Sequence, residues 1–326
     1  MIKKISCLLL FTCFASFVAA QTRLEDLFKN ANIFYLDKHG QPAVEKDSVS
    51  FARVIECDSS DNKLFIVQDF YLNGSRRLIG KSSAPYYSLK REGVFMEYYR
   101  NGRRKSVKSY ENNSVKGDEV YFYPNGKPYY TCHFDSTAKQ SIISESADST
   151  GVQLATGGNG ACVLYDEDFK LEKGRGPLLN GLKEGEWRGN VNDTATYVCT
   201  YKKGISISGI STSRSGREYE FKKDINQPEF DGGEQGFARF LARTIHYPAA
   251  AKEYNVQGKV FATFVINKDG TMRDLRIIRG IGGGCDEEVI RVLQLSSPWK
   301  PGFLYGIPAD FPYTIPVSFT LQQEGR

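Results

Sequence analysis

The stretch Gly280–Gly302, GIGGGCDEEVIRVLQLSSPWKPG, decides how the C-terminal part of this chain folds. Gly280, Gly282, Gly283 and Gly284 fall within five residues, after an apolar run and before an amphipathic segment. A strand, a glycine-rich turn and a helix is the setting in which nucleotide phosphates are held at a helix N-terminus. Here, however, Asp286, Glu287 and Glu288 fill the first helical turn, complement its dipole and would repel a phosphate. Cys285 also stands where a dinucleotide fingerprint needs its third glycine. The glycines are therefore structural. They turn a strand sharply into a packed helix whose inner side carries Val289, Val292 and Leu293.

Upstream, Phe237, Phe240, Leu241, Thr244 and Ile245 recur at helical spacing. Tyr247-Pro248 ends that helix, and Pro248 is expected at the first position of a short second one, where no amide donor is needed. GKVFATFVINKDGTMRDLRIIRG gives two strands around the turn NKDG, with Val260, Ala262, Phe264 and Ile266 on one face. In YTIPVSFTL, residues 313–321, Tyr313, Ile315, Val317, Phe319 and Leu321 face one way, with Thr314, Pro316, Ser318 and Thr320 between them. The hairpin makes strands one and two antiparallel, and the crossing helix returns strand three parallel to strand two. In an all-antiparallel sheet the order is then 2-1-3, with strand three at an edge. Pro316 agrees, because proline cannot donate to a ladder and is confined to edges or bulges. Edges are normally protected, and an open one can accept an incoming peptide strand.

YPAAAKEYNVQGKV, FVINKDG, GIGGGCDEEVIRVL, WKPG and YTIPVSF, in this order, closely resemble the TonB C-terminal domain, in the form common among Bacteroidetes-type bacteria, over about 228–322. The resemblance implies an α+β domain in the periplasm, two helices on a three-stranded antiparallel sheet. It implies a partner, the TonB box peptide of outer-membrane TonB-dependent transporters, gripped by strand addition and coupled to an inner-membrane proton channel. Carried over, the binding strand is Tyr313, Thr314, Ile315, Pro316, Val317, Ser318, Phe319, Thr320 and Leu321. Tyr247 and Pro248, Gly282, Gly283 and Gly284, and Trp299, Pro301 and Gly302 match motifs with structural roles. The chain departs from the family in having 12 prolines without a proline-rich spacer, and a cleavable-looking signal in place of an anchor. Peptide recognition thus carries over more securely than energy transduction.

Before this domain the chain repeats itself. YLNGSRRLIGK, EYYRNGRRKSVKSY and YFYPNGKPYYTCHF each place Asn-Gly between β-forming runs, at 73–74, 101–102 and 125–126. Asn-Gly tolerates positive φ at both central positions of a tight turn, so each pair predicts a hairpin. Spacings in the twenties are those of stacked units. DSTAKQSIISESADSTG reads as an interruption, after which the series resumes loosely. NGLKEGEW (180–187) and the Tyr-x-x-Gly-Lys style resemble the MORN-repeat family over roughly 65–222. That implies a β-rich row of hairpins acting as spacer or binding surface, with a ligand-free twisted sheet as the alternative. Residues 21–64 are read only as an N-terminal segment with a short helix at LEDLFKN.

MIKK, the apolar ISCLLLFTCFASFV and Val18-Ala19-Ala20 form a signal peptide over 1–20, which places the mature chain in the periplasm. A retained segment would give inner-membrane association. Losing Lys3 and Lys4 lowers the formal charge from +5 to +3, too mild to argue for nucleic acid. Cys57, Cys132, Cys162, Cys199 and Cys285 remain, an odd set without metal spacing, expected as small buried hydrophobes with one bridge at most. His39, His133 and His246 form no triad or metal motif, so no enzyme, cofactor or metal site is expected. The alternative function is a periplasmic scaffold that binds an envelope protein or cell-wall component through the repeats. A homodimer is left open.

Overall fold

The computed structural model describes residue 28 and residues 31–321, apart from 44, 62 and 138. The signal peptide and, Phe28 aside, almost all of the LEDLFKN helix lie outside the described residues. Among the described residues no helix is long and apolar enough to cross a membrane. The chain forms two compact units, one running to Lys170 and including Arg175–Glu184, the other made of Leu171–Gly174 and the chain from Gly185 onward.

The first unit is an antiparallel meander. Asn32–Leu36 pairs with Phe51–Cys57, then come Phe65–Tyr71, Arg76–Ser82, Arg91–Tyr98 and Arg104–Glu111, each paired with its neighbour. It continues through Glu119–Phe122, Pro128–Asp135, Gln140–Ala147, Gln153–Thr156 and Asn159–Tyr165. The segment before residue 65 thus contributes two strands that the sequence reading did not assign.

One turn recurs along the row. Gly74, Gly102 and Gly126 donate to Tyr71, Tyr99 and Tyr123, whose own amides donate to Ser75, Arg103 and Lys127. Only the glycine of each Asn-Gly pair has positive φ. These are three-residue loops, a type I turn followed by a left-handed residue, not the two-residue turns expected from the dipeptide. Each asparagine side chain accepts the amide two residues on. The two-residue geometry occurs instead at Asn180-Gly181, where both φ values are positive, at 52° and 77°.

Neighbouring turns are bonded together. The hydroxyls of Tyr71, Tyr99 and Tyr123 donate to the carbonyls of Tyr98, Phe122 and Ala147, at 2.9, 2.6 and 3.0 Å. Asn101 and Asn125 donate to the carbonyls of Pro124 and Ser149. The serine- and threonine-rich passage does not interrupt this series. Gln140–Ala147 is one of its strands, and Asp148 and Gly151 repeat the turn, with Asp148 in the tyrosine place.

The second unit contains a shorter meander, Gly185–Asn192, Ala195–Lys202, Ile205–Ser213 and Glu218–Phe221. Its core is Trp187, Tyr197, Cys199 and Tyr201, all buried. The C-terminal sheet follows, with Gly258–Ile266 central, Met272–Arg279 on one side and Phe311–Phe319 on the other, all antiparallel. This is the 2-1-3 order. Val260, Ala262, Phe264 and Ile266 point inward and meet the helix Cys285–Gln294, which buries Cys285, Val289, Val292 and Leu293. The helix Gly233–Thr244 is less committed. It buries no residue fully, and Phe237 packs half-buried against the core. Pro248 precedes the helix Ala249–Glu253 as its N-cap, one position earlier than expected, and its carbonyl accepts the amide of Lys252. Among the described residues the five cysteines are free thiols; Cys132, Cys162, Cys199 and Cys285 are buried as expected, whereas Cys57 is exposed, and no bridge forms between them.

Candidate functional site

The last strand runs Phe311–Phe319, two residues earlier than 313–321, so Thr320 and Leu321 lie beyond it. Leu321 is nevertheless tied back, its amide donating to the side chain of Gln257 at 2.9 Å. Nine consecutive residues pair with the central strand without a bulge, from Phe311 against Ile266 to Phe319 against Gly258. No strand pairs on its other side among the described residues. Burial alternates: Phe311, Val317 and Phe319 are buried and Tyr313 and Ile315 half-buried, whereas Pro312, Thr314, Pro316 and Ser318 are exposed.

Backbone direction alternates too. In an antiparallel strand the amide and carbonyl of one residue point the same way, and the next residue's point the opposite way. The hydroxyl of Thr263, on the central strand, donates to the carbonyl of Tyr313 at 2.9 Å, so odd-numbered residues face inward. The even-numbered residues then face solvent. Both prolines, Pro312 and Pro316, are even-numbered, so neither removes a donor from the existing ladder. The open edge offers the carbonyls of Pro312, Thr314, Pro316 and Ser318, but amides only at Thr314 and Ser318. Pro312 lies outside the expected strand because that strand begins two residues late, at Tyr313. The signal was present in FPYTIP, where two prolines four apart must share a side.

The core beneath fixes this strand. Trp299 packs on Phe237, Phe264 and Tyr313, and its backbone carbonyl leaves no room for a side chain at Gly270. Its indole nitrogen donates to the hydroxyl of Ser296 at 3.2 Å. Gly302 is similarly closed in by Phe311 and Pro228, while Pro301, beside it, is half-buried. The hydroxyl of Tyr313 donates to the carbonyl of Pro228 at 3.0 Å, and burial pushes its phenol up. Tyr247 packs edge-on against Phe319, and its hydroxyl donates to the carbonyl of Val256 at 2.6 Å.

The glycine turn is filled from within. Gly282, Gly283 and Gly284 have φ of 72°, 65° and 85°, and a Cβ at Gly283 would press on Ala251. The carboxylate of Asp286 accepts the amides of Ile281 and Gly282, at 3.0 and 3.4 Å. It occupies the position a phosphate would need. Nearby, Glu288 accepts the amide of His246 at 2.6 Å and pairs with Arg291, which also donates to the carbonyl of Thr244. The Arg291 guanidinium, aided by that amide, holds the Glu288 carboxyl below its ordinary range. At the start of the strand, the Lys268 amide and then Arg273 do the same for Asp310.

Residues 243–321 match the family model described as Gram-negative bacterial TonB protein C-terminal. No curated protein matches the chain significantly. The match covers a minor part of the 326 residues and makes this segment similar to the C-terminal region of TonB proteins.

Proposed function

We propose that this domain binds the TonB box of an outer-membrane TonB-dependent transporter by adding it as a fourth strand beside Phe311–Phe319. The unpaired outward edge carries the reading. An antiparallel peptide would donate to four carbonyls and receive two bonds in return, from the amides of Thr314 and Ser318. Backbone bonds would supply most of the affinity, and peptide side chains the register. The chain acts as an exported, periplasmic binding protein and not as an enzyme. Coupling to the proton channel would require its N-terminal segment to stay in the inner membrane. The hairpin meander, MORN-like in its repeated turn, serves as the spacer that the missing proline-rich tract would otherwise provide.

The test is titration of the labelled protein with a TonB box peptide while backbone amide resonances are followed. Shifts should concentrate at 311–319, largest at Thr314 and Ser318. Saturable binding that leaves these amides unmoved would reject the edge. A second reading, a scaffold role for the repeats, is favoured by the exposed Val198, Ile205, Ile207 and Ile210 on neighbouring strands of the second meander. Such an apolar patch suits a protein partner.

A further inference from the structure

A cavity of about 450 Å³ opens in the first unit, lined from the strands Phe51–Cys57, Arg76–Ser82 and Arg91–Tyr98 and from loops beside them. Lys38, Arg53, Arg77, Arg91 and Glu97 supply its charged lining. Its floor is a buried ion cluster. Arg53, 7% exposed, meets the fully buried Asp69 directly across the strand pair and grips it with two nitrogens, at 2.7 and 2.8 Å. The third nitrogen of Arg53 donates to the carbonyl of Tyr87. Arg77 reaches the same carboxylate at 2.9 Å.

These groups differ in what they have left to offer. All three nitrogens of Arg53 are engaged, so it braces the floor. Arg77 spends one nitrogen on Asp69 and lies over the ring of Phe51, 4.1 Å from its centre. Arg91 spends one nitrogen on the hydroxyl of Tyr110 and lies over the rings of Tyr110 and Phe95. Each guanidinium thus lies over an aromatic ring and uses one nitrogen in the bond just named, which leaves the others as donors. Lys38 rides on a turn fixed by Asp37, whose carboxylate accepts the amides of His39 and Gln41. The opposite wall, Tyr87 to Leu89, is braced by the buried hydroxyl of Ser82, which accepts the amides of Ala84 and Lys90. Four cations thus meet two carboxylates, Glu97 on the wall and Asp69 below, leaving two positive charges in excess.

We infer that this cavity binds a phosphate monoester carried on a small polar molecule such as a sugar. A phosphate monoester is a dianion that matches the excess charge, and guanidinium nitrogens suit its oxygens. The volume lies within the range of small-molecule sites and exceeds what a lone phosphate fills. Tyr87, Ser88 and Asn113, also on the lining, offer the ring and polar contacts a sugar would use.

The experiment is calorimetric titration of the full chain with glucose 6-phosphate at low ionic strength, where surface screening is weak. Glucose, glucuronate and inorganic phosphate serve as comparisons. Saturable one-to-one binding is expected, with inorganic phosphate and glucuronate weaker and glucose silent. Arg91→Gln should lower affinity about tenfold, and Arg91→Lys should lose less. Arg77→Gln also disturbs the buried cluster, so Lys38→Gln, in an exposed loop, gives the independent variant and should weaken binding several-fold. No binding of the sugar phosphate, glucuronate binding as tightly, or unchanged affinity in folded Arg91→Gln and Lys38→Gln would each overturn the assignment.

Discussion

Proline scanning along the last strand should do two different kinds of damage at adjacent positions. Ser318 faces outward and is exposed, so Ser318→Pro removes an amide that no existing ladder bond uses. Its ring would sit as Pro312 and Pro316 already do, and Val317 is already extended, as the residue before proline must be. The fold should survive. Peptide binding should lose one amide–carbonyl bond, worth about 1 kcal/mol net, hence about fivefold in affinity. Adding Thr314→Pro removes the only other outward amide, and the pair should cost about thirtyfold if the two bonds add.

Val317→Pro acts on the opposite side. Val317 is 3% exposed and pairs with Val260 in the core. Losing that bond and stranding a buried carbonyl costs about 2–4 kcal/mol, before the change in packing. For a domain of this size the melting temperature should fall on the order of 15 °C. Circular dichroism melts and fluorescence anisotropy with a labelled TonB box peptide measure the two effects separately. Folded Ser318→Pro that binds as tightly as the parent would remove this strand as the docking edge. A stable Val317→Pro would show the inward and outward assignment to be reversed.

Three further outcomes are expected. Glu288→Gln should destabilise the domain by about 1–2 kcal/mol at neutral pH. Because the folded carboxyl titrates below its ordinary value of 4.5, this stabilisation is present above that value and lost as pH falls through the folded one. The difference between parent and variant should therefore shrink in acid melts, and a constant gap would refute it. Asp286→Ala should loosen the glycine turn, seen as faster hydrogen exchange at Ile281 and Gly282, without creating phosphate affinity. Residues 228–321 should fold alone but melt below 185–321, because Tyr305 stacks on Tyr197 at 4.2 Å between centroids and packs on Phe221. Tyr305→Ala in the longer fragment should close the gap, and equal melting temperatures before mutation would dismiss that contact.

The C-terminal sheet was legible because each of its elements carried its own instruction. Alternation in the central strand, acidic residues at a helix start and Pro316 in the last strand agree on one topology, and the 2-1-3 order follows from chain direction once every pairing is antiparallel. The turns were harder. Asn-Gly at 101–102 and at 180–181 is the same dipeptide, yet it closes a three-residue loop in one place and a two-residue loop in the other. The choice depends on pairing register, which is set by the facing strand and not by the dipeptide. The passage around Asp148 was opaque for a related reason. Its strand is polar, with only Ser146 and Ala147 buried, and its turn replaces tyrosine and asparagine by aspartate and threonine. The Arg53–Asp69–Arg77 cluster had no local signature, since its members lie 16 and 8 residues apart and meet only across strand pairs.

The two edges of the C-terminal sheet face the same hazard, and they meet it by different means. Met272–Arg279 carries Arg273, Arg276 and Arg279, all exposed, and its pairing with the central strand is broken by two bulges. Charge and irregularity of this kind repel a second strand outright. Phe311–Phe319 has neither device. Its ladder to the central strand is regular over its whole length, and its outward side chains are small or flat. The two prolines leave every outward carbonyl in place and delete only alternate donors. A second copy of this edge, pairing antiparallel, would bring deficient donors against deficient donors and lose bonds on both sides. A peptide with a full set of amides loses only the bonds opposite Pro312 and Pro316. The edge is thus poor at self-association while still able to accept a foreign strand, the combination that a strand-addition site has to achieve.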